Sequence, residues 1–308
     1  MLEWGIIVSD MRPWTVAVLG PGGVGGLLAA LVARAGHRVI CLAGEESSQV
    51  LRRDGIRLRS TQHGDFTARV EADTELREPV DLCLVTVKQT ALAPALERVP
   101  PTVLGSGLVV PLLNGIEHPA LLRQRYRPES VAPGVIRVEA TRVAPGQIVQ
   151  GSPFAEIDLA SATVQRERLD APAHMLTAAG VPTRVQRDET ATLWAKMSFL
   201  APLALLTTRY GITLGGIRTD HREELLTLLA ETSALSRACG APGDATSTLR
   251  MFDAFPAETK SSMQRDAEAG RPLELDAIGG ALLRAAEQHT VEVPLTRRLM
   301  AELVEAGS

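Results

Sequence analysis

Aromatic residues are nearly missing from this chain, at 3% of 308 residues. Surfaces that stack nucleobases are built from aromatic side chains, so single-stranded nucleic acid is a poor candidate partner. Positive charge is not in surplus either. The formal net charge is -4 and the basic residues are scattered, whereas a nucleic-acid face needs a basic stripe. No apolar run reaches the roughly 18 residues that span a bilayer, which points away from a membrane. The first ten residues carry no basic stretch and do not read as a secretory signal. Cysteine is scarce as well. Cys41, Cys83 and Cys239 lie far apart without a CxxC pair, the usage of reduced core cysteines in a cytoplasmic protein. The histidines are isolated from one another, so no metal constellation stands out.

What is present is apolar residue in quantity, 45% of the chain, enough for a large core. At roughly 100–200 residues per domain the length suggests two domains. Segment 15–20, TVAVLG, is a short β-branched run ending in glycine and predicts a buried parallel strand. A helix is expected over 22–35, with Gly36 stopping it. Further apolar strands are expected at 38–43, 80–87 and 107–113. Shorter, more polar ones are expected at 56–59, 66–70, 148–151 and 156–159. Strands alternating with helices imply a parallel sheet covered on both faces. After Val185 the pattern turns helical. Asp188 is placed to cap a helix running through Trp194, Lys196 and Leu200, and helical spacing recurs at 222–239, 244–255, 259–269, 272–289 and 294–305. The expected fold class is α/β: a Rossmann-type parallel sheet over 13–187 and an all-helical substrate and catalytic domain over 188–308. Residues 1–12 read as an N-terminal extension, with Met11 an alternative start to Met1.

The first chemical signal is Gly20-Pro21-Gly22-Gly23-Val24-Gly25, which fits G-x-G-x-x-G between a strand and a helix. Gly20 permits the tight turn. Gly22 lets backbone N–H groups approach a pyrophosphate, and Gly25 lets the helix pack on the sheet. The helix N-terminus favours the phosphates' charge. Glycine-rich turns are common in themselves; it is the flanking strand and helix that give this one dinucleotide-binding character. The end of the second strand decides between NAD and NADP. There the sequence reads Ala43-Gly44-Glu45-Glu46-Ser47-Ser48, with Arg52 and Arg53 beyond. Serines and a reaching arginine can hold a 2′-phosphate, whereas two glutamates oppose it, so NADP(H) and NAD(H) both stay open.

Five motifs in order resemble the ketopantoate reductase (2-dehydropantoate 2-reductase) family. They are the glycine loop, Val87-Lys88, Leu113-Asn114-Gly115, Leu193-Trp194-Ala195-Lys196, and Ser261-Ser262-Met263 followed by Glu274-Leu275-Asp276. The resemblance implies NADPH-dependent reduction of 2-dehydropantoate to pantoate, on the route to pantothenate. It makes Lys196 the catalytic proton donor. It assigns Glu274 to the substrate hydroxyl, the cofactor or the holding of the lysine. It makes Asn114 a contact of nicotinamide ribose and substrate, Lys88 a contact of cofactor or substrate, and Ser262 a contact of the substrate carboxylate.

Each of these residues also has a plainer explanation. Lys196 interrupts an apolar helix and either snorkels to an edge or faces a cleft. Glu274, in the first helical turn after Pro272, also suits simple dipole compensation. Asn114-Gly115 is an ordinary turn signal, Lys88 an ordinary solvated strand exit, and Ser262 an ordinary helix-start hydroxyl. Two places depart from the resemblance. Leu200 and Ala204 stand where the family commonly has asparagine, and Gly44 stands in place of its arginine. The expected partner is therefore a small 2-keto acid, with a homodimer allowed. Reduction of another 2-keto acid or an imine is the alternative on the same framework. A non-catalytic cofactor sensor is the alternative from another class, although a sensor has no need of a proton donor.

Overall fold

The computed structural model describes residues 12–306. The expectations on Met1, Met11 and most of the N-terminal extension lie outside the described residues. Five parallel strands form a central sheet in the order Glu71–Asp73, Arg38–Leu42, Thr15–Leu19, Leu82–Val85, Leu108–Pro111. Side chains alternate along a strand, so each strand feeds two cores. Val16 and Val18 enter the core on the side of helix Gly23–Arg34, while Ala17 and Leu19 enter the core on the opposite face. Burial on both faces is why these strands are continuous apolar runs rather than alternating ones. Cys41 and Cys83 lie in this sheet as buried free thiols.

The shorter strand candidates form, but not in that sheet. Phe66–Ala68, Ile56–Ser60, Gln147–Gln150 and Ala140–Ala144 make a second, mixed sheet. Glu156–Leu159 joins Thr183–Val185 and Gly134–Arg137 in a third. The second sheet seats on the glycine-rich helix. A Cβ on Gly23 would meet the Ala140 carbonyl oxygen at 2.1 Å, and one on Gly26 would meet Ile148 Cδ1 at 2.5 Å. The run of glycines thus does more than shape a phosphate loop: it lets a second sheet pack against the same helix.

From Glu189 onward the described chain is helical. The long helix Glu189–Tyr210 opens on Asp188, whose side chain accepts a hydrogen bond from Ala191 N at 2.9 Å. It is long and apolar enough to cross a membrane by length and composition, yet 61% of its most apolar stretch is buried inside the protein, as befits a central core helix. Helices Arg222–Ala238, Ala245–Ala254 and Pro294–Ala306 lie where helical spacing placed them. Two elements are shorter than expected. Ser262–Glu268 starts late because Ser261 is the capping residue, accepting from Gln264 N at 3.0 Å. The expected helix over 272–289 begins only at Leu275, as a π-helical turn Asp276–Gly280 that runs into Ala281–His289.

Candidate active site

The glycine loop sits at the carboxyl edge of the sheet. Gly20 adopts φ +85°, a conformation open to glycine, and its carbonyl accepts from Thr86 Oγ1 at 2.9 Å. The following helix, Gly23–Arg34, opens on Gly22 as its N-cap, without a side-chain cap and without an acid in its first turn. Its first N–H groups are therefore left for an external acceptor. A Cβ on Gly22 would meet nothing nearer than 3.9 Å, so this glycine fronts open space, whereas one on Gly25 would strike the Gly20 carbonyl oxygen at 2.4 Å. An uncapped helix start behind an open glycine fits a pyrophosphate. Pro21 and Val24 complete the turn, and Gly20 packs on Val87, one residue before Lys88.

At the end of strand Arg38–Leu42 the phosphate candidates make contacts within the chain. Gly44 is the N-cap of helix Glu45–Asp54, with Glu45 and Glu46 in its first turn. Ser48 is sealed, donating to Ala43 O and Asp73 O. Arg52 donates to Ala72 O and pairs with Glu45, and Arg53 pairs with Asp54. Ser48 is thereby held in place, whereas the Arg52 and Arg53 side chains stay 45% and 75% exposed in surface ion pairs. Arg98 reaches the same strand end as well, donating from Nη1 to Ala43 O at 2.9 Å and Thr74 O at 2.7 Å.

The proposed catalytic residues gather where the sheet edge meets the helical half. Glu274 is buried, at 7% exposure, and holds two strands' exits at once. Its Oε1 accepts from the backbone N–H of Gln89 at 3.0 Å and its Oε2 from Asn114 Nδ2 at 3.0 Å. Gly115, at φ +91°, lies close under the π-helical turn: a Cβ there would meet Ala277 O at 2.6 Å. Lys88 forms a 2.5 Å ion pair with buried Asp266, which also receives Arg271 at 2.8 Å. Strand Leu82–Val85 ends three residues before Lys88, which caps the short turn Gln89–Ala91 rather than ending the strand. Glu274 likewise precedes its helix instead of lying in the first turn: the helix begins at Leu275, and the Glu274 carbonyl accepts its opening hydrogen bond from Ile278 N at 3.1 Å.

Lys196 lies on the long helix facing this cluster. Its ammonium has no hydrogen-bond or ion-pair partner among the described residues. Burial lowers its pKa to about 8 from 10.5; the charge of Glu274 opposes that fall and the charge of Arg137 adds to it. An unpaired ammonium with a pKa near neutrality is suited to giving up a proton. Ser262 is not joined to this group by any hydrogen bond among the described residues: it is exposed at the first position of its helix, and buried Ser261 beside it serves as the cap.

Three participants escape a reading of the sequence. Asp266 is one acid within a helical pattern. Gln89 contributes only its backbone. His118 begins helix His118–Arg125, fully buried, with neither ring nitrogen bonded among the described residues. Burial, reinforced by the charges of Lys196 and Arg123, lowers its pKa to about 3, so it is neutral beside the lysine. Only the buried histidine had a signal, its position three residues after Asn114-Gly115.

Comparison with known proteins bears on the whole chain. Residues 16–162 match the family profile described as ketopantoate reductase PanE/ApbA, and residues 188–306 match its C-terminal counterpart. A 2-dehydropantoate 2-reductase of Archaeoglobus fulgidus is 26% identical, over 94% of this chain and 97% of that protein. The structure of a PanE/ApbA family ketopantoate reductase from Ralstonia eutropha superposes with TM-score 0.85 at 26% identity, covering 95% of this chain and 98% of that one. A D-mandelate dehydrogenase solved with NADH and anilino(oxo)acetate shares the fold at TM-score 0.87 and 18% identity, covering 95% and 98%. On these matches the chain belongs to the ketopantoate reductase family of oxidoreductases.

Proposed function

We propose that the chain reduces the carbonyl of a small 2-keto acid, using NADPH and the proton of Lys196. The observation that carries this reading is the unpaired ammonium of Lys196, poised near pH 8 and facing a sheet edge whose glycine loop fits a dinucleotide. A bound nicotinamide supplies the hydride to the keto carbon. Lys196 gives its proton to the oxygen that becomes alkoxide, yielding the 2-hydroxy acid. Glu274 keeps that lysine charged and, through Gln89 N–H and Asn114, fixes the sheet edge against the helical half. Residues 13–187 would hold the cofactor and 188–308 the proton donor, with Lys88 available to an anionic group once it parts from Asp266. 2-Dehydropantoate, the substrate named by the curated relatives, is the first compound to test. Consumption of reduced cofactor with 2-dehydropantoate and a panel of other 2-keto acids tests the reading, and no consumption with any of them would overturn it.

Cofactor choice follows from the second strand. With Gly44 at the critical place and two glutamates after it, NADPH is expected to bind, but with a preference over NADH smaller than an arginine site would give. A charge-assisted hydrogen bond contributes about 1.5–3 kcal/mol, roughly ten- to a hundredfold. Gly44 is exposed, extended at φ -66°, and a Cβ there meets nothing within 4 Å. Gly44→Arg is therefore expected to fold and to raise the NADPH preference by that factor. Calorimetric titration of both reduced cofactors into both proteins measures it. A native preference of many thousandfold would show that Arg98 or another cation already serves the 2′-phosphate.

A further inference from the structure

The lysine borders a recess whose walls say what kind of carbon chain it receives. Leu113, Gly115 and Val135 line one side. Leu193, Met197 and Leu200 line the other, on the same face of the long helix as Lys196, at the three- and four-residue spacing that stacks side chains along a helix. Apart from Lys196 no side chain in this lining carries a hydrogen-bonding group. One turn beyond Leu200, Ala204 is fully buried and equally apolar. The recess is too narrow to admit a water molecule in this structure, so any occupant requires its walls to shift, with unbranched Met197 the most adaptable of them.

A substrate whose keto oxygen meets Lys196 lays its side chain into these walls. An alkyl or aryl group gains there by leaving water. A hydroxyl gives up its hydrogen bonds to water, and apart from Lys196, which is engaged with the keto oxygen, no side chain lining the recess replaces them. We infer that the preferred substrate is a 2-keto acid with a branched aliphatic or aryl side chain and no hydroxyl. This rests on the reading of the site as a 2-keto acid reductase and specifies its substrate class.

The test compares two acids that differ by one hydroxyl: 3,3-dimethyl-2-oxobutanoate and its 4-hydroxy derivative, 2-dehydropantoate. With saturating NADPH, kcat/KM is expected to be roughly tenfold or more higher for the hydroxyl-free acid, the factor attached to one unpaired buried polar group. Phenylglyoxylate is expected to be reduced as well. Leu200→Asn, which adds an amide to the wall, is expected to narrow the ratio. Equal or better use of 2-dehydropantoate by the native protein would overturn the inference while leaving the reductase reading intact. Failure of all three acids while another 2-keto acid of the panel is reduced would overturn this inference alone, and failure of the whole panel with both NADPH and NADH would overturn the reductase reading with it.

Discussion

Replacing Lys196 by methionine is expected to lower turnover by roughly 10²–10⁴-fold, the range for a lost general acid, and at the same time to stabilise the protein. The two effects share one cause. The folded protein holds the ammonium away from water without an ion-pair partner, so its pKa falls to about 8 from 10.5. A pKa lowered by folding means that the native state binds the proton less tightly than the unfolded chain. Below about pH 8 both states are charged and the native state bears the full desolvation penalty. Between about pH 8 and 10.5 the native lysine has released its proton while the unfolded one still holds it, so this group's contribution becomes more favourable as pH rises. At neutral pH the penalty is on the order of 2–3 kcal/mol, allowing for the part of the side chain that remains open to the cleft. Methionine fills a similar volume without a charge and removes it. Thermal melts should show Lys196→Met above the native protein, while single-turnover reduction is slowed and cofactor affinity barely changes. Near-native turnover would remove Lys196 from the chemistry, and a lower melting temperature would show that the lysine is a structural tether.

Such a residue is legible in a sequence because it violates its surroundings: one cation among leucines, alanines and methionine on a helix long enough to be central. The glycine loop is legible because the backbone there requires glycine whatever the partner. The central strands are legible because burial on both faces leaves unbroken apolar runs. The parts that were not legible fail for equally physical reasons. Strand Ala140–Ala144 is largely exposed and pairs at a sheet edge, so it has no apolar alternation to reveal it. Strand Gly134–Arg137 follows a proline and starts with glycine, which together read as a turn. Asp266 becomes meaningful only when folding sets it against Lys88, 178 residues away. The glycine at position 44 can be read from the sequence, but not that Ser48 is sealed against the sheet edge. Glu274 is legible through its neighbours but not in its exact place, because a proline usually starts a regular helix, whereas here the helix begins at Leu275 and passes into a π-helical turn.

Glu274→Gln is expected to shift the pH dependence of reduction rather than merely weaken it. The native carboxylate accepts from Gln89 N–H and Asn114 Nδ2, and its charge resists the fall in the Lys196 pKa. Glutamine has nearly the same shape, so one of these bonds survives through its carbonyl oxygen, while its amide group now faces a donor. The negative charge is gone. With that support lost, the Lys196 pKa moves below about 8 and the lysine is deprotonated at lower pH. Reduction requires the protonated form, so kcat/KM should fall with rising pH through the Lys196 pKa in the native protein, and through a more acidic midpoint in the variant. At a pH where the native lysine is still charged, the loss should reach roughly ten- to a hundredfold, the factor attached to a charge-assisted hydrogen bond, and lowering the pH should recover part of it. A carboxylate that only compensated a helix dipole would behave otherwise, costing about 0.3–1 kcal/mol of stability with no change in rate. Rate profiles against pH and melting curves on the same two proteins separate the cases. An unmoved midpoint with a lowered melting temperature would leave Glu274 as a clamp between the two halves, without a role in tuning the lysine.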